Sequence, residues 1–329
     1  MLGSPQARAD LALLLVTLIS ACGWIFSREA LQELPPLLFI GFRFLLAGTL
    51  LWLIAPRGWR QIHAAGLLPN CLGLGVLFAG FVMCWILGLR YSQHLGVGAF
   101  IFNLGAVLVP VMAWLLLRER APRSTWLSLP VAGLGLALLS SGSGFSLALG
   151  QGWFLASALL FSLHVTLVGH VARALSAVPL ASLQLLVVGV VGVFASALAE
   201  SWPASVSAST IGWFFASALL ATSLRFVVQM YGQSLAPPSH AALIIILEPV
   251  WTALLAALWY GERMSELQIT GCMLIFGALL ISRWSWVAEV RMTEVFASRI
   301  PWILRNTSVT RLNSGPDEVQ TQCSRRNKP

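Results

Sequence analysis

The sequence predicts an all-α transmembrane protein whose ten helices form two inverted five-helix repeats, and three observations support this fold class. First, 58% of the 329 residues are hydrophobic and only 10% are charged, whereas a soluble domain carries about 25% charged residues. Second, the apolar residues come in blocks of roughly 20, long enough to cross the ~30 Å hydrocarbon core of a bilayer. Third, the second half of the chain repeats a pattern of the first half.

Ten spans follow from the apolar blocks, and the connections between them are short. Pro35 and Pro36 favour a helix start at that point, because the first turn of a helix tolerates a missing backbone donor best. The segment SSGSG ends the fifth span, and ESWPASVSAST separates the seventh span from the eighth. The expected spans cover roughly residues 11–31, 35–55, 66–88, 94–117, 123–141, 151–171, 178–199, 210–231, 239–260 and 265–284.

The repeat is visible in two stretches, residues 109–140 and 248–282. In each, an apolar segment that contains a proline ends at Glu-Arg and is followed by a polar turn and a small-residue-rich segment. A unit of five spans crosses the membrane an odd number of times, so the second copy enters from the opposite side. The expected divisions are residues 1–145 for the first repeat, 146–286 for the second, and 287–329 for a tail that is interfacial and then disordered.

Arginine placement predicts the orientation, because cytoplasmic loops carry an excess of basic residues. With the N-terminus inside, seven loop and span-end arginines lie inside and three outside. An even number of spans then places the tail, with seven more basic residues, inside as well. We therefore expect a multi-pass protein of the cell membrane (the inner membrane in a Gram-negative bacterium) with both termini in the cytoplasm. The inside group is Arg8, Arg57, Arg60, Arg118, Arg120, Arg123 and Arg173, and the outside group is Arg28, Arg90 and Arg263.

Composition excludes several kinds of chemistry. Lys328 is the only lysine, which rules out a P-loop lysine or a Schiff base in the membrane body. The five cysteines and the histidines are scattered without metal-ligand or disulfide spacing, so we expect no metal and no cofactor. The basic residues are dispersed rather than gathered in a patch, so nucleic-acid binding is not expected.

Three stretches carry a family resemblance: PPLLFIGFRFLLAG in the second span, AWLLLRER at the end of the fourth, and QMYGQSLAPPSHAALIIILEPVWTALLAALWYGER across the eighth and ninth. Over about residues 11 to 284 the chain resembles the drug/metabolite transporter superfamily, specifically the EamA-type proteins with ten helices in two repeats. Two features depart from that pattern. SACGW replaces the Trp-Gly often found in the first helix, and the first-half Glu-Pro is absent, with Gly105 near its position. The resemblance implies transport of a small molecule without identifying it.

Glu248 is a carboxylate within the otherwise apolar ninth span, and its position needs an explanation. A carboxylate at the bilayer centre costs about 2.5–3.5 kcal/mol on insertion scales, so it should face the bundle interior and find a partner. A rise of ~1.5 Å per residue places Glu248 ~15 Å deep and Arg225 ~10–15 Å deep, which makes Arg225 the expected partner. Arg225, Gln229 and Gln233 follow at i, i+4 and i+8 on one face of the eighth span. This group either lines a transport cavity, where the carboxylate binds a cationic group or a proton, or forms a permanent ion pair between two helices.

Four further residues complete the predicted pathway. Pro249 and Pro110 each remove a backbone donor inside a span, and we interpret them as hinges of a central pathway. Arg43, about seven residues into the second span, is expected to face the bundle and to bind an anionic group. Asn103 in the fourth span either joins two helices by a hydrogen bond or faces the cavity.

The function expected from these residues is secondary active transport of small organic metabolites, amino-acid-like or drug-like, by alternating access. Efflux is the expected direction, with proton coupling through Glu248. Hydrolytic signatures such as HExxH and GxSxG are absent and no second deep carboxylate exists, so an enzyme is not expected. The alternative is a polytopic membrane adaptor or assembly protein that transports nothing. The expected partners are a small-molecule substrate and the lipid bilayer, and the sequence leaves both a monomer and a homodimer open.

Overall fold

Helices account for nearly all of the residues that the computed structural model describes, namely 5–54, 60, 62, 66–118, 123–140, 148–171, 177–235, 241 and 244–299. Seven of the helices are long and apolar enough to cross a membrane: α1 to α4 and α6 to α8. The predicted all-α membrane fold is confirmed in this form, and the count of ten spans stays a prediction. The helices are α1 (Pro5–Ala30), α2 (Pro36–Ile54), α3 (Leu68–Tyr91), α4 (Leu95–Leu117), α5 (Arg123–Ser140), α6 (Leu149–Val171), α7 (Ala177–Ala199), α8 (Ala208–Leu235), α9 (Glu248–Tyr260) and α10 (Glu266–Arg299).

Two of the predicted spans differ from the helices that form. The ninth span was expected as one helix over residues 239–260, but a turn at residues 246 and 247 separates residues 244 and 245, which are helical, from the α-helix that begins at Glu248. The tenth, expected to end near residue 284, continues as α10 to Arg299. Residues 1–285 form one compact unit, and a second unit, residues 286–329, contains the end of α10. The predicted disordered part of the tail, and the Glu119-Arg120 pair, lie outside the described residues.

The closest packing joins helices from different halves of the chain. α1 packs against α8 and α9, α2 against α7, α3 against α6 and α7, and α4 against α6 and α9. The largest buried apolar cluster, which includes Trp24, Phe39 and Phe154, lies among these helices. Since lipid tails are as apolar as leucine, such contacts are stabilised mainly by close van der Waals packing and small residues.

Small residues are placed accordingly where α2 crosses α7. A Cβ atom added at Gly192 would lie 2.8 Å from the Cα atom of Gly41, and one added at Gly41 would lie 2.6 Å from the backbone nitrogen of Val193. Glycine is therefore required at this crossing for the close approach of the two backbones, not for an unusual backbone conformation. The hydroxyl of Ser182 on α7 also donates to the carbonyl oxygen of Gly48 on α2, at 3.1 Å.

Glutamates accept hydrogen bonds from helix N-termini at one end of the bundle. We call this the glutamate end, and it contains the loops 31–35, 92–94, 200–207 and 261–265. Glu200 accepts hydrogen bonds from the backbone N–H groups of Leu37 and Leu38 in the first turn of α2, at 2.9 and 3.0 Å. Glu262 does the same for Leu95 at the start of α4, at 2.9 Å. The first N–H groups of a helix have no partner within the helix, and the helix dipole favours a negative charge there.

Glu33 provides a third contact of this kind, because it accepts the N–H of Ser207, the residue that caps α8, at 2.7 Å. This hydrogen bond lowers the pKa of the Glu33 carboxyl group below its ordinary value. A lowered folded-state pKa means that the contact is fully present above the ordinary carboxyl pKa and is lost as the pH falls through the lowered value. The glutamate end is thus held by charged groups at neutral pH.

Replacing Glu200 with alanine is expected to lower the free energy of unfolding by about 1 kcal/mol, the usual effect of losing a helix cap. The substitution leaves two N–H groups of α2 without their acceptors. Thermal unfolding of the purified protein in detergent measures the effect. Glu200→Gln retains one carbonyl acceptor, so its unfolding midpoint should lie between those of the parent protein and Glu200→Ala. An unchanged midpoint in Glu200→Ala would contradict the capping role.

Candidate functional site

Arg43 is the buried centre of the candidate site. Its side chain is 7% exposed, and two of its nitrogen atoms donate hydrogen bonds to hydroxyl oxygens of other helices. Nε donates to Oγ1 of Thr222 on α8 and Nη1 to Oγ of Ser27 on α1, both at 2.8 Å. The guanidinium group therefore joins α1, α2 and α8 at a single point, and the predicted inward orientation of Arg43 is what the structure has.

Thr222 reaches Arg43 from an unusual stretch of backbone. Residues Ala216–Leu224 of α8 form a π-helix, between α-helical turns on either side. The hydroxyl of Thr222 donates to the carbonyl oxygen of Ser217, five residues earlier, and Ser223 donates to Ala218 in the same way. A π-helix is wider than an α-helix and is frequent at functional sites. Here it brings hydroxyl groups towards α1 and α2.

Three aromatic rings lie beside the guanidinium group. The guanidinium carbon lies 5.7 Å from the ring centre of Phe39, 5.6 Å from that of Phe44 and 5.9 Å from that of Trp85. A cation within about 6 Å of a ring is attracted by the electrons of its face. Trp85 in turn packs edge-on against Trp24, with 5.1 Å between ring centres.

Trp24 connects this aromatic group to Glu248. Its indole Nε1 donates a hydrogen bond to Oε1 of Glu248 at 3.2 Å. Glu248 is the first residue of α9, so its carboxylate lies at the positive end of that helix, and Pro249 occupies the first turn, where its missing N–H has least effect. Before it, the chain makes a turn in which the Leu247 N–H donates to the carbonyl oxygen of Ile244, at 3.0 Å. Pro249 therefore marks a break in the helix at this point, where the sequence predicted a kink.

The predicted pairing of Glu248 with Arg225 does not form among the described residues. Glu248 binds Trp24 instead, and Nε of Arg225 is buried without a hydrogen-bond acceptor. Arg225 lies close enough to Arg43 for the two positive charges to repel each other. The permanent ion pair that was one interpretation of these residues is thus not the arrangement of this structure.

The remaining predicted residues are further from this centre. Gln229 is half-buried and Gln233 is exposed, so the predicted polar face of α8 extends from the interior to the surface. Asn103 donates to the carbonyl oxygen of Ala99 in its own helix, at 2.9 Å, so the bond between two helices, one of its two interpretations, does not form among the described residues. Pro110 lies inside α4, which continues through it as an α-helix.

Two cavities lie outside the centre. One, of about 360 Å³, opens at the glutamate end and is lined by Arg28, Arg90 and Tyr260 together with Leu31, Gln32 and Leu89. The other, of about 560 Å³, is an almost wholly apolar groove along α2 and the start of α8. The first lies at the ends of α1, α3 and α9 and is lined by two arginines, a glutamine and a tyrosine.

Sequence reasoning missed the hydroxyl groups of Ser27 and Thr222 and the role of Trp24. A signal for Thr222 was its position three residues before Arg225, a spacing that shares one face in a regular α-helix. Trp24 stood in the SACGW segment that departs from the family pattern. No local signal in the sequence indicated the π-helix.

The sequence model of the EamA-like transporter family matches residues 7–141 and again residues 148–284. An uncharacterized transporter of Archaeoglobus fulgidus is 26% identical over 280 residues, which cover 85% of this chain and 87% of that protein. The uncharacterized transporter YvbV of Bacillus subtilis is 30% identical over 142 residues, 43% of this chain and 46% of its own length. A crystal structure with 17% sequence identity superposes with a TM-score of 0.57 over 84% of this chain and 96% of the other, a likeness of fold.

Proposed function

The chain belongs to the EamA-like transporter family, and from this premise we propose that it is a secondary active transporter of small organic metabolites, amino-acid-like or drug-like, that works by alternating access. Family membership makes the chain a multi-pass membrane transporter. Our proposal adds the class of substrate, efflux as the direction, coupling to protons, and a cell-membrane location with both termini in the cytoplasm.

The observation that carries the proposal is the break before α9, where Glu248 faces the interior beside Trp24. Free backbone groups within a bilayer are tolerated only where protein or water satisfies them. Broken helices with a charge at the break commonly mark the substrate or ion site of a transporter. Glu248, which is hydrogen-bonded to Trp24, and Arg43, which lies beside Trp85, give this interior acidic and basic groups for a polar solute.

The helix contacts support the inverted repeat, because a contact between the two halves has a counterpart in which equivalent helices have changed places. α1 packs on α8 as α6 packs on α3, and α1 packs on α9 as α6 packs on α4. Where α2 crosses α7, a Cβ atom at Gly48 would touch Leu186 and one at Gly189 would touch Leu45. Gly189 follows Gly48 by the same number of residues as Leu186 follows Leu45. The two contacts are therefore equivalent under exchange of the repeats, as a twofold axis between α2 and α7 requires. We infer ten spans, with repeats at 1–145 and 146–286.

Contacts of Glu29 support a closed glutamate end, which is the outer end in the proposed orientation. Oε1 of Glu29 accepts hydrogen bonds from the Tyr260 hydroxyl at 2.8 Å and from the Trp259 indole at 3.2 Å. These bonds hold the end of α1 to the end of α9. Alternating access requires them to break when the site opens outward.

Glu29→Ala is therefore expected to shift the protein towards an outward-open state. The experiment places spin labels at the exposed positions Gln32 and Arg263, in a variant without native cysteines, and measures the distance between them. A longer distance should become more populated in the Glu29→Ala protein. An identical distribution with and without the Glu29 side chain would refute this closing role.

A polytopic adaptor that transports nothing is the alternative function. Such a protein has no need of a broken helix with a carboxylate at its first residue, or of a buried arginine among aromatic rings. Counterflow of labelled solutes into proteoliposomes separates the two, because a transporter accelerates exchange and an adaptor does not. A metabolite screen that compares export from cells with and without the protein selects the solutes to be tested.

A further inference from the structure

Arg43, which is buried, and Arg225, which is half-buried, are near enough to repel each other, and neither has an acidic partner among the described residues. Arg43 donates to the hydroxyl oxygens of Thr222 and Ser27, both uncharged. Arg225 follows Thr222 by three residues, and its charge acts on Arg43. Its Nε is buried and has no acceptor among the residues that the structure describes. A buried cation whose hydrogen-bond donors are unused is costly in a membrane protein, and a second like charge nearby increases that cost.

Glu248 does not compensate this excess. Its carboxylate is hydrogen-bonded to Trp24, and its link to Arg43 runs through the contacts of Trp24 with Trp85 and of Trp85 with Arg43. Two guanidinium groups against one carboxylate leave the interior one positive charge in excess. A guanidinium group presents N–H donors in a planar fork that matches a carboxylate, and such charge-assisted bonds are about twice as strong as neutral ones.

The rings beside Arg43 indicate the shape of the rest of the ligand. Phe39, Phe44 and Trp85 each lie within 6 Å of its guanidinium carbon. These faces can pack against an apolar or aromatic body attached to an anionic head, as ligand sites commonly do with a few placed polar groups.

We infer that Arg43 and Arg225 together bind the carboxylate of a small organic anion, so that the transported class is monocarboxylates with an apolar or aromatic body. The inference rests on the proposed transport function and specifies its substrate. Arg225 supplies the unused donor, Arg43 is fixed by its two hydroxyl partners, and the rings hold the body of the substrate. A zwitterion binds more weakly than the corresponding anion, and a cation does not bind.

A matched set of three probes tests the charge requirement. 3-Phenylpropionate has only the carboxylate, phenylalanine has both charged groups, and phenethylamine has only the amine. Binding is measured as the shift in the thermal unfolding midpoint of the purified protein at increasing probe concentration. 3-Phenylpropionate should bind most tightly and phenylalanine second. We expect 3-phenylpropionate to bind at least about tenfold more tightly than phenethylamine, which corresponds to about 1.4 kcal/mol.

Arg225→Gln is the decisive variant, with Arg263→Gln, at an exposed loop position, as the matched control for charge. Arg225→Gln should weaken 3-phenylpropionate binding at least about tenfold, while the control binds like the parent. Without ligand, Arg225→Gln should unfold at the same or a higher temperature, because it removes the repulsion from Arg43. A structural role for Arg225 would instead give a lower unfolding temperature.

The outcomes separate this inference from transport itself. No binding of 3-phenylpropionate, equal binding of all three probes, or undiminished binding in Arg225→Gln would overturn the anion site. Counterflow of another solute in the same proteoliposomes would then leave the transport function standing. Binding that follows the expected order, but without counterflow of the bound probe, would support the site and contradict transport.

Discussion

Glu248→Gln is expected to remain folded and inserted while losing solute uptake driven by a pH gradient, by about tenfold or more. Glutamine retains a carbonyl oxygen that can accept the Trp24 hydrogen bond and has nearly the same shape, so the start of α9 should persist. It cannot take up or release a proton in the physiological range, so a cycle that moves a proton through this position stops. A tenfold loss corresponds to about 1.4 kcal/mol.

The measurement compares two assays in the same proteoliposomes. Uptake under an imposed pH gradient should fall in Glu248→Gln, whereas counterflow at equal pH on both sides should persist. Glu266→Gln provides the control, because Glu266 is an exposed carboxylate in the first turn of α10. Equal pH dependence in the parent protein and Glu248→Gln would remove proton coupling from the proposed function and leave transport down the substrate's own gradient.

Gly192→Leu is expected to abolish the folded state in detergent. Even the Cβ atom would lie 2.8 Å from the Cα atom of Gly41, so α2 and α7 would have to separate. Overpacking of a filled interior typically costs about 1–3 kcal/mol, and a backbone contact cannot rotate away as a side chain can. We expect a lower unfolding temperature for Gly192→Ala and loss of the monodisperse species for Gly192→Leu, by size-exclusion chromatography.

Gly133 on α5 is the matched control, because a Cβ atom there has no heavy atom within 4 Å outside its own helix. Gly133→Leu should remain monodisperse with a nearly unchanged unfolding temperature. If Gly192→Leu behaves as Gly133→Leu does, α2 and α7 do not cross at Gly192 in the folded protein.

The apolar helices and the inward-facing position of Arg43 could be predicted from the sequence. Apolar length identifies a membrane helix because the bilayer thickness sets it. The cost of a charge in lipid likewise requires Arg43 to face protein, and it does. These predictions depend on the composition of a single segment, so the rest of the fold hardly affects them.

The predicted pairing of Glu248 with Arg225 was wrong because two side chains at similar depths in the membrane form a pair only if both also point towards each other around their helix axes. Counting residues gives the height of a side chain along a helix axis, whereas its direction depends on every turn between it and the end of the helix. The π-helix of α8 ends at Leu224, immediately before Arg225. It changes the number of residues per turn and so the direction in which Arg225 projects. A neutral indole from α1 then took the place at Glu248 that a cation was expected to fill.

The cross-packing of the two halves has a consequence for how the protein is made. The main partners of α1, α2 and α3 are α8, α7 and α6, and α4 packs mainly against α6 and then α9. The ribosome completes all of these partners after the first half has entered the membrane. Domains that fold during synthesis usually do so in order from the N-terminus. Here α1 to α4 enter the bilayer before their main partners exist, with only the smaller contacts among helices of the first half available to them. Biogenesis therefore has a late assembly step, and a nascent chain cut after residue 145 lacks the main partners of these four helices.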